Sequence, residues 1–212
     1  MRLALVSTVV LASFASVPAF ADGFTLAGGA ALSFAPQGDA STRSDLNLYL
    51  EGGYANFYLG VSADVYNDRA VNEVDVSLGY RNTTPGGLSY DLSYTRYTYP
   101  NDGGDCCGDV YLSLAMPVTD ALTATAKANY YPEDKLSDAH LSLDYALNDK
   151  VTLTGKVGVV QNDGALDTRE WELAVGYALG DETAVKLHYY DGSDYQGYLG
   201  LDLTWDTTLL GG

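Results

Sequence analysis

Residues 46–66 read LNLYLEGGYANFYLGVSADVY. Leu46, Leu48 and Leu50 share one parity. After the break at Tyr54-Ala55-Asn56, the alternation resumes in Phe57, Leu59, Val61, Ala63 and Val65. The opposite parity carries Glu51 and Asp64, with Asn, Tyr, Gly and Ser. Side chains of an extended chain point alternately to its two faces. A period of two therefore means strands with one apolar and one polar side. A break this short suits a tight hairpin.

The same pattern runs outward in both directions. Apolar residues recur at Val74, Val76, Leu78 and Tyr80, then at Leu88, Tyr90, Leu92 and Tyr94, then at Val110, Leu112, Leu114 and Met116. They continue through Leu122 to Tyr130, Leu141 to Leu147, Val151 to Val159, Trp171 to Leu179 and Val185 to Tyr189, and close with Leu199, Leu201, Leu203 and Trp205. With a first strand near Phe24 to Phe34 this predicts twelve strands, far more than an ordinary globular chain holds. Residues after Trp205 read as a tail. The polar parity holds Glu51, Asp64, Asp75, Arg81, Asp91, Lys127, His140, Asp144, Lys156, Glu172, Lys186, His188 and Asp202.

Strands with one apolar face build either a soluble sandwich or a barrel in a membrane. The connections decide between them. Those at 36–43, 67–73, 100–109, 132–138, 161–170 and 191–196 are long. Those at 54–56, 119–120, 148–150 and 180–182 are tight, and 82–87 is looser. Short turns on one rim and longer loops on the other are the habit of outer-membrane barrels, and a sandwich has no reason for it. Strands of about ten residues, tilted, span a bilayer core. Tyrosines near strand ends, at Tyr54, Tyr58, Tyr80 and Tyr177 on one rim and at Tyr66, Tyr97, Tyr99, Tyr131, Tyr190 and Tyr195 on the other, read as two interfacial girdles. The expected fold is all-β: a transmembrane antiparallel up-and-down barrel of about twelve strands.

Residues 1–21, MRLALVSTVVLASFASVPAFA, have a charged Arg2, an apolar run and an Ala-x-Ala end, as a secretory signal peptide does. Residues 22–212 are then the barrel. With 28 Asp+Glu against 11 Lys+Arg, the chain has a formal charge of −17, which excludes nucleic acid as a partner. The expected partners are outer-membrane lipid and lipopolysaccharide, the barrel assembly machinery, and small solutes or ions. The expected location is the outer membrane of a Gram-negative bacterium.

The segments NLYLEGGYANFYLGVSADVYN, NEVDVSLGY, GLSYDLSYTRYTYP, DVYLSLAMPV and EWELAVGYALGDETAVKLHYYD resemble the TorF-like porins of proteobacteria. The resemblance covers most of the chain after the signal peptide. It implies an outer-membrane barrel with a passive pore, and it supplies no functional residues to carry over.

Little else points to chemistry. His140 and His188 lie on the polar parity, away from a lipid-facing Ser/His arrangement, and no G-x-S-x-G occurs. No enzyme, cofactor or metal site is expected. Cys106 and Cys107 are adjacent in NDGGDCCGD, which reads as a loop. Both are not expected to stay free in an oxidising compartment, though adjacent Cα atoms sit closer than a disulfide usually spans. Glu73, Asp109, Asp138 and Glu170 count among the acids of the long connections. Arg96 shares parity with Leu92 and Tyr94, and is expected on the outer wall near the long-loop rim, reaching lipopolysaccharide phosphate. Seven acids and four bases on the polar parity predict a mildly cation-selective lumen. A plugged structural or surface-exposed barrel is the alternative.

Overall fold

The computed structural model describes residues 23–36, 42–67, 72–162 and 167–211. The signal segment lies outside the described residues. Twelve strands follow one another: β1 Phe24–Pro36, β2 Thr42–Tyr54, β3 Phe57–Tyr66, β4 Glu73–Thr83, β5 Ser89–Tyr99, β6 Gly104–Pro117, β7 Leu122–Tyr131, β8 Leu136–Ala146, β9 Val151–Val160, β10 Thr168–Ala178, β11 Thr183–Gly192 and β12 Tyr195–Leu210. Each pairs antiparallel with its sequence neighbours, and β12 pairs with β1 to close a barrel. Closure leaves no sheet edge, and every strand finds backbone partners on both sides.

The apolar parity faces outward. Leu59 and Leu78 are register partners and remain 55% and 61% exposed. Leu48, Val61, Leu92, Leu141, Leu173 and Leu201 continue the same exposed belt around the wall. In water so large an apolar surface would drive aggregation, whereas in a bilayer it is the solvated surface. Tyr54, Phe57 and Tyr177 are exposed on the outer face at the short-turn rim, and Tyr80 is half-buried beside them. Phe57 packs edge-on against Tyr80, with ring centroids 4.9 Å apart.

Three sequence expectations are corrected here. The tail after Trp205 is strand: Asp206, Thr207 and Thr208 pair with Gly29, Gly28 and Ala27, so β12 runs to Leu210. Cys106 and Cys107 lie inside β6, not in a loop, and they are disulfide-bonded to each other where the β5–β6 register shifts. The long-loop rim is also more strand-like than its composition indicates. Ser193 and Asp194 alone join β11 to β12, and Glu73, Asp109, Asp138 and Glu170 belong to strands. Their Asp- and Gly-rich sequence resembles loop, but the backbone ladder carries on through it.

Candidate functional site

The inner wall is the candidate site. Glu51, Asp64, Asp75, Arg81, Asp91, Lys127, His140, Asp144, Lys156, Glu172, Lys186, His188 and Asp202 all lie on the face opposite the exposed apolar row of their strands. The structure gathers most of them into three groups.

In the first, Arg81 of β4 makes two parallel bonds to Glu51 of β2, Nη1 to Oε1 at 2.9 Å and Nη2 to Oε2 at 2.8 Å. Its Nε stands 3.3 Å from Asp91 of β5. The guanidinium lies 3.9 Å over the ring of Tyr58, whose hydroxyl donates to Asp91 at 2.8 Å. A planar fork matched to a carboxylate, and stacked on a ring, is a geometry that arginine fills and lysine does not.

The second group spans β8 to β12. Glu172 takes Lys186 at 2.6 Å on Oε1 and Lys156 at 3.3 Å on Oε2, with His188 Nδ1 at 3.4 Å. His188 Nε2 faces Asp202 at 3.9 Å, and His140 Nε2 meets Glu170 at 2.8 Å. Lys156 also sits 4.3 Å over the Tyr190 ring. Nearby, Asp144 accepts the Thr154 hydroxyl at 2.6 Å.

In the third group, on β3 and β4, carboxylate oxygens of Asp64, Glu73 and Asp75 all lie within 4.8 Å of one another. Glu73, expected in a long connection, is the first residue of β4. Asp45, Asp109, Asp138, Glu170 and Asp206 are further inward acids that the alternation alone did not bring out. Asp206 Oδ1 accepts the Tyr49 hydroxyl at 2.6 Å, and Asp138 accepts that of Tyr131 at 3.0 Å.

Several tyrosines expected in the girdles are instead inward. Tyr58, Tyr66 and Tyr190 are buried on the inner face. Rings on this wall recur opposite glycine. Tyr49, Tyr58, His140 and His188 have Gly29, Gly79, Gly158 and Gly200 as register partners. A Cβ on any of these glycines would collide with the ring. Each ring therefore lies flat along the wall over bare backbone instead of standing into the lumen.

The hydrogen bonds, ion pairs and ring contacts described above among inward side chains stay along the wall. The longest reach across one intervening strand, as Glu51 to Arg81, His140 to Glu170 and Tyr49 to Asp206 do. None of these joins opposite sides of the barrel. For twelve strands about 4.8 Å apart and tilted near 40°, the backbone radius is roughly 12 Å.

Comparison with solved structures places this architecture. The KdgM porin superposes with a TM-score of 0.66 at 13% identity, over 84% of this chain and 98% of that one. Porins share this barrel. The NanC porin matches with a TM-score of 0.58 at 14% identity, over 89% of this chain and all of its own. Outer membrane phospholipase A from Escherichia coli matches less well, with a TM-score of 0.54 at 12% identity, over 84% of this chain and 89% of that one. At these identities the likeness is one of fold. No protein-family model matches the sequence, and neither does any curated protein. The resemblance to the TorF-like porins therefore rests on the quoted segments alone.

Arg96 sits on the outer face near the long-loop rim, on the expected parity. Its guanidinium is engaged by two carboxylates of the same chain. Nε and Nη2 clasp both oxygens of Asp105 at 2.6 and 2.7 Å, and Nη1 meets Glu133 at 2.7 Å.

Proposed function

We propose that this chain is an outer-membrane porin of a Gram-negative bacterium, giving passive passage to small hydrophilic solutes or ions with a mild preference for cations. The observation that carries the reading is a closed barrel, apolar outside, whose inner wall is lined by charged side chains that pair, among the described residues, with partners on the same or nearby strands. Such a wall leaves an aqueous path, and a polar lumen in an apolar shell is what a diffusion pore requires. Acids outnumber bases on the inner face, and a low-dielectric mouth of one sign concentrates the opposite ion. A KdgM structure is described with disordered oligogalacturonate, a polyanion. The acidic wall here suits that ligand class poorly.

Lipid and lipopolysaccharide would contact the apolar belt, and the barrel assembly machinery would insert the chain. The reading is non-enzymatic. Both histidines face inward and are engaged with Glu170, Glu172 and Asp202, so neither is placed for lipid chemistry at the outer wall.

A plugged structural barrel is the second reading, favoured by the near-complete burial of Tyr190 and Asp202 at 1% and 2% exposure. Planar-bilayer recording of the purified protein separates the two. Discrete conductance levels, with a reversal potential in a salt gradient on the cation side, are expected. Silence at all voltages would establish the plugged barrel, and a clear anion preference at neutral pH would refute the selectivity.

A further inference from the structure

The three groups of inward acids are not alike. Glu51 and Asp91 share Arg81, and Glu170 and Glu172 share two lysines and two histidines. Asp64, Glu73 and Asp75 form no ion pair among the described residues. Asp64 and Glu73 are direct register partners on β3 and β4, and Asp75 follows Glu73 on the same face. Glu73 and Asp75 are only 3% and 7% exposed. Asn47 Nδ2 donates to Asp64 Oδ1 at 3.0 Å, and the Ser62 hydroxyl donates to Asp75 Oδ2 at 3.1 Å. Asp75 Oδ1 is sealed from solvent and has no hydrogen-bond partner.

We propose that Asp64, Glu73 and Asp75 bind a hard divalent cation, calcium, on the inner wall toward the long-loop rim. Three carboxylates at this spacing repel one another strongly in a buried site, and an unpartnered buried carboxylate oxygen is costly to leave bare. A dication answers both at once. Calcium takes six to eight oxygens at about 2.3–2.6 Å, so ligands on opposite sides of it stand about 4.6–5.2 Å apart. Oxygens within 4.8 Å of one another fit on that sphere without rearrangement of the strands. Magnesium demands a smaller octahedron and keeps its waters, and a cage of protein carboxylates suits it less. Asp75 Oδ1 then has a ligand role, and Ser62 and Asn47 orient the two aspartates. No Asp-x-Asp-x-Asp-Gly loop is needed, because the β3–β4 register assembles the ligands. The site does not depend on whether the barrel conducts.

Terbium, a luminescent stand-in for calcium, tests this on the folded barrel in detergent, because Tyr66 and Tyr99 lie close enough to sensitise it. Tyr66 is in β3 two residues beyond Asp64, and Tyr99 is beside Glu73. Saturable luminescence is expected, displaced by calcium at about tenfold or more lower concentration than by magnesium. Glu73→Gln and Asp75→Asn should each raise the calcium needed by about tenfold or more, while Asp102→Asn on the exposed β5–β6 connection leaves it unchanged. Calcium should also raise the unfolding temperature of the unmodified barrel, a readout that requires no variant. Absence of saturable binding, equal displacement by magnesium, or an equal effect of Asp102→Asn would overturn the proposal.

Discussion

Replacing Arg81 by glutamine removes a positive charge from between Glu51 and Asp91. The two bonds to Glu51 and the 3.3 Å contact to Asp91 leave both carboxylates facing one another without it. At an effective dielectric near 20, each such ion pair represents about 4 kcal/mol of gross attraction, much of it offset by desolvation of the charges. Side-chain exposures of 28%, 21% and 19% for Arg81, Glu51 and Asp91 place the group between a surface pair and a buried one. Surface pairs contribute about 0–1 kcal/mol, and breaking a buried pair costs about 3–5 kcal/mol. We therefore expect Arg81→Gln to destabilise the barrel by about 2–3 kcal/mol, including the lost contact with the Tyr58 ring. Urea unfolding in lipid vesicles, followed by tryptophan fluorescence, measures it. Adding Glu51→Gln and Asp91→Asn should recover most of the loss, because the orphaned charges are then gone. A single-variant cost under about 0.5 kcal/mol, or a triple variant no better than the single, would refute the reasoning.

Four other outcomes follow from the same wall. With chelator present and only monovalent salt, neutralising Asp64 and Asp75 should weaken cation preference more than neutralising Glu51 and Asp91, whose charge Arg81 already offsets; reversal potentials compare the pairs. Leu59→Arg at mid-wall should cost about 2–4 kcal/mol in vesicle folding, against about 0–1 kcal/mol for Tyr54→Arg at the rim. Gly200→Ala should push the His188 ring off the wall, cost about 1–3 kcal/mol and lower single-channel conductance. Glu133, in the exposed β7–β8 turn, has its carboxyl held below the usual range by its own backbone N–H and by Arg96. A depressed carboxyl stabilises the fold above the unfolded value, near 4.3, and stops doing so as pH falls. Because Glu133 Oε2 accepts the Gly108 N–H at 3.4 Å, that amide's protection from exchange should drop below about pH 4 and hold at pH 6.

The barrel was legible in the sequence because an apolar outer face and a polar inner face force strict alternation, and in LNLYLEGGYANFYLGVSADVY only the tight turn at Tyr54-Ala55-Asn56 interrupts it. The thirteen inward residues were legible for the same reason, since parity carries them to one face. What escaped was whatever depends on register or on ladder length. Glu73 became a neighbour of Asp64 only when β3 and β4 were aligned. Asp206 and the cysteines looked like loop because acidic and glycine-rich segments discourage strand in isolation, while pairing with β1 and β5 holds them extended. Tyr58, Tyr66 and Tyr190 looked like girdle residues because a tyrosine near a strand end suits either face. The glycine opposite Tyr58 is visible only across strands.

The seam between β1 and β12 differs in kind from every other pairing. All other partners are consecutive strands, joined as hairpins, whereas Ala30 meets Trp205 and Leu32 meets Leu203 from opposite ends of the chain. Hairpins can form early from local segments, but the seam must wait for ten intervening strands to find their places. Until it forms, both outer strands carry a row of unsatisfied amides and carbonyls that hydrocarbon does not tolerate. Closure and full insertion are therefore one event. Of all the pairings in the barrel, this one has the highest loop-closure cost, because it joins the two strands furthest apart in synthesis.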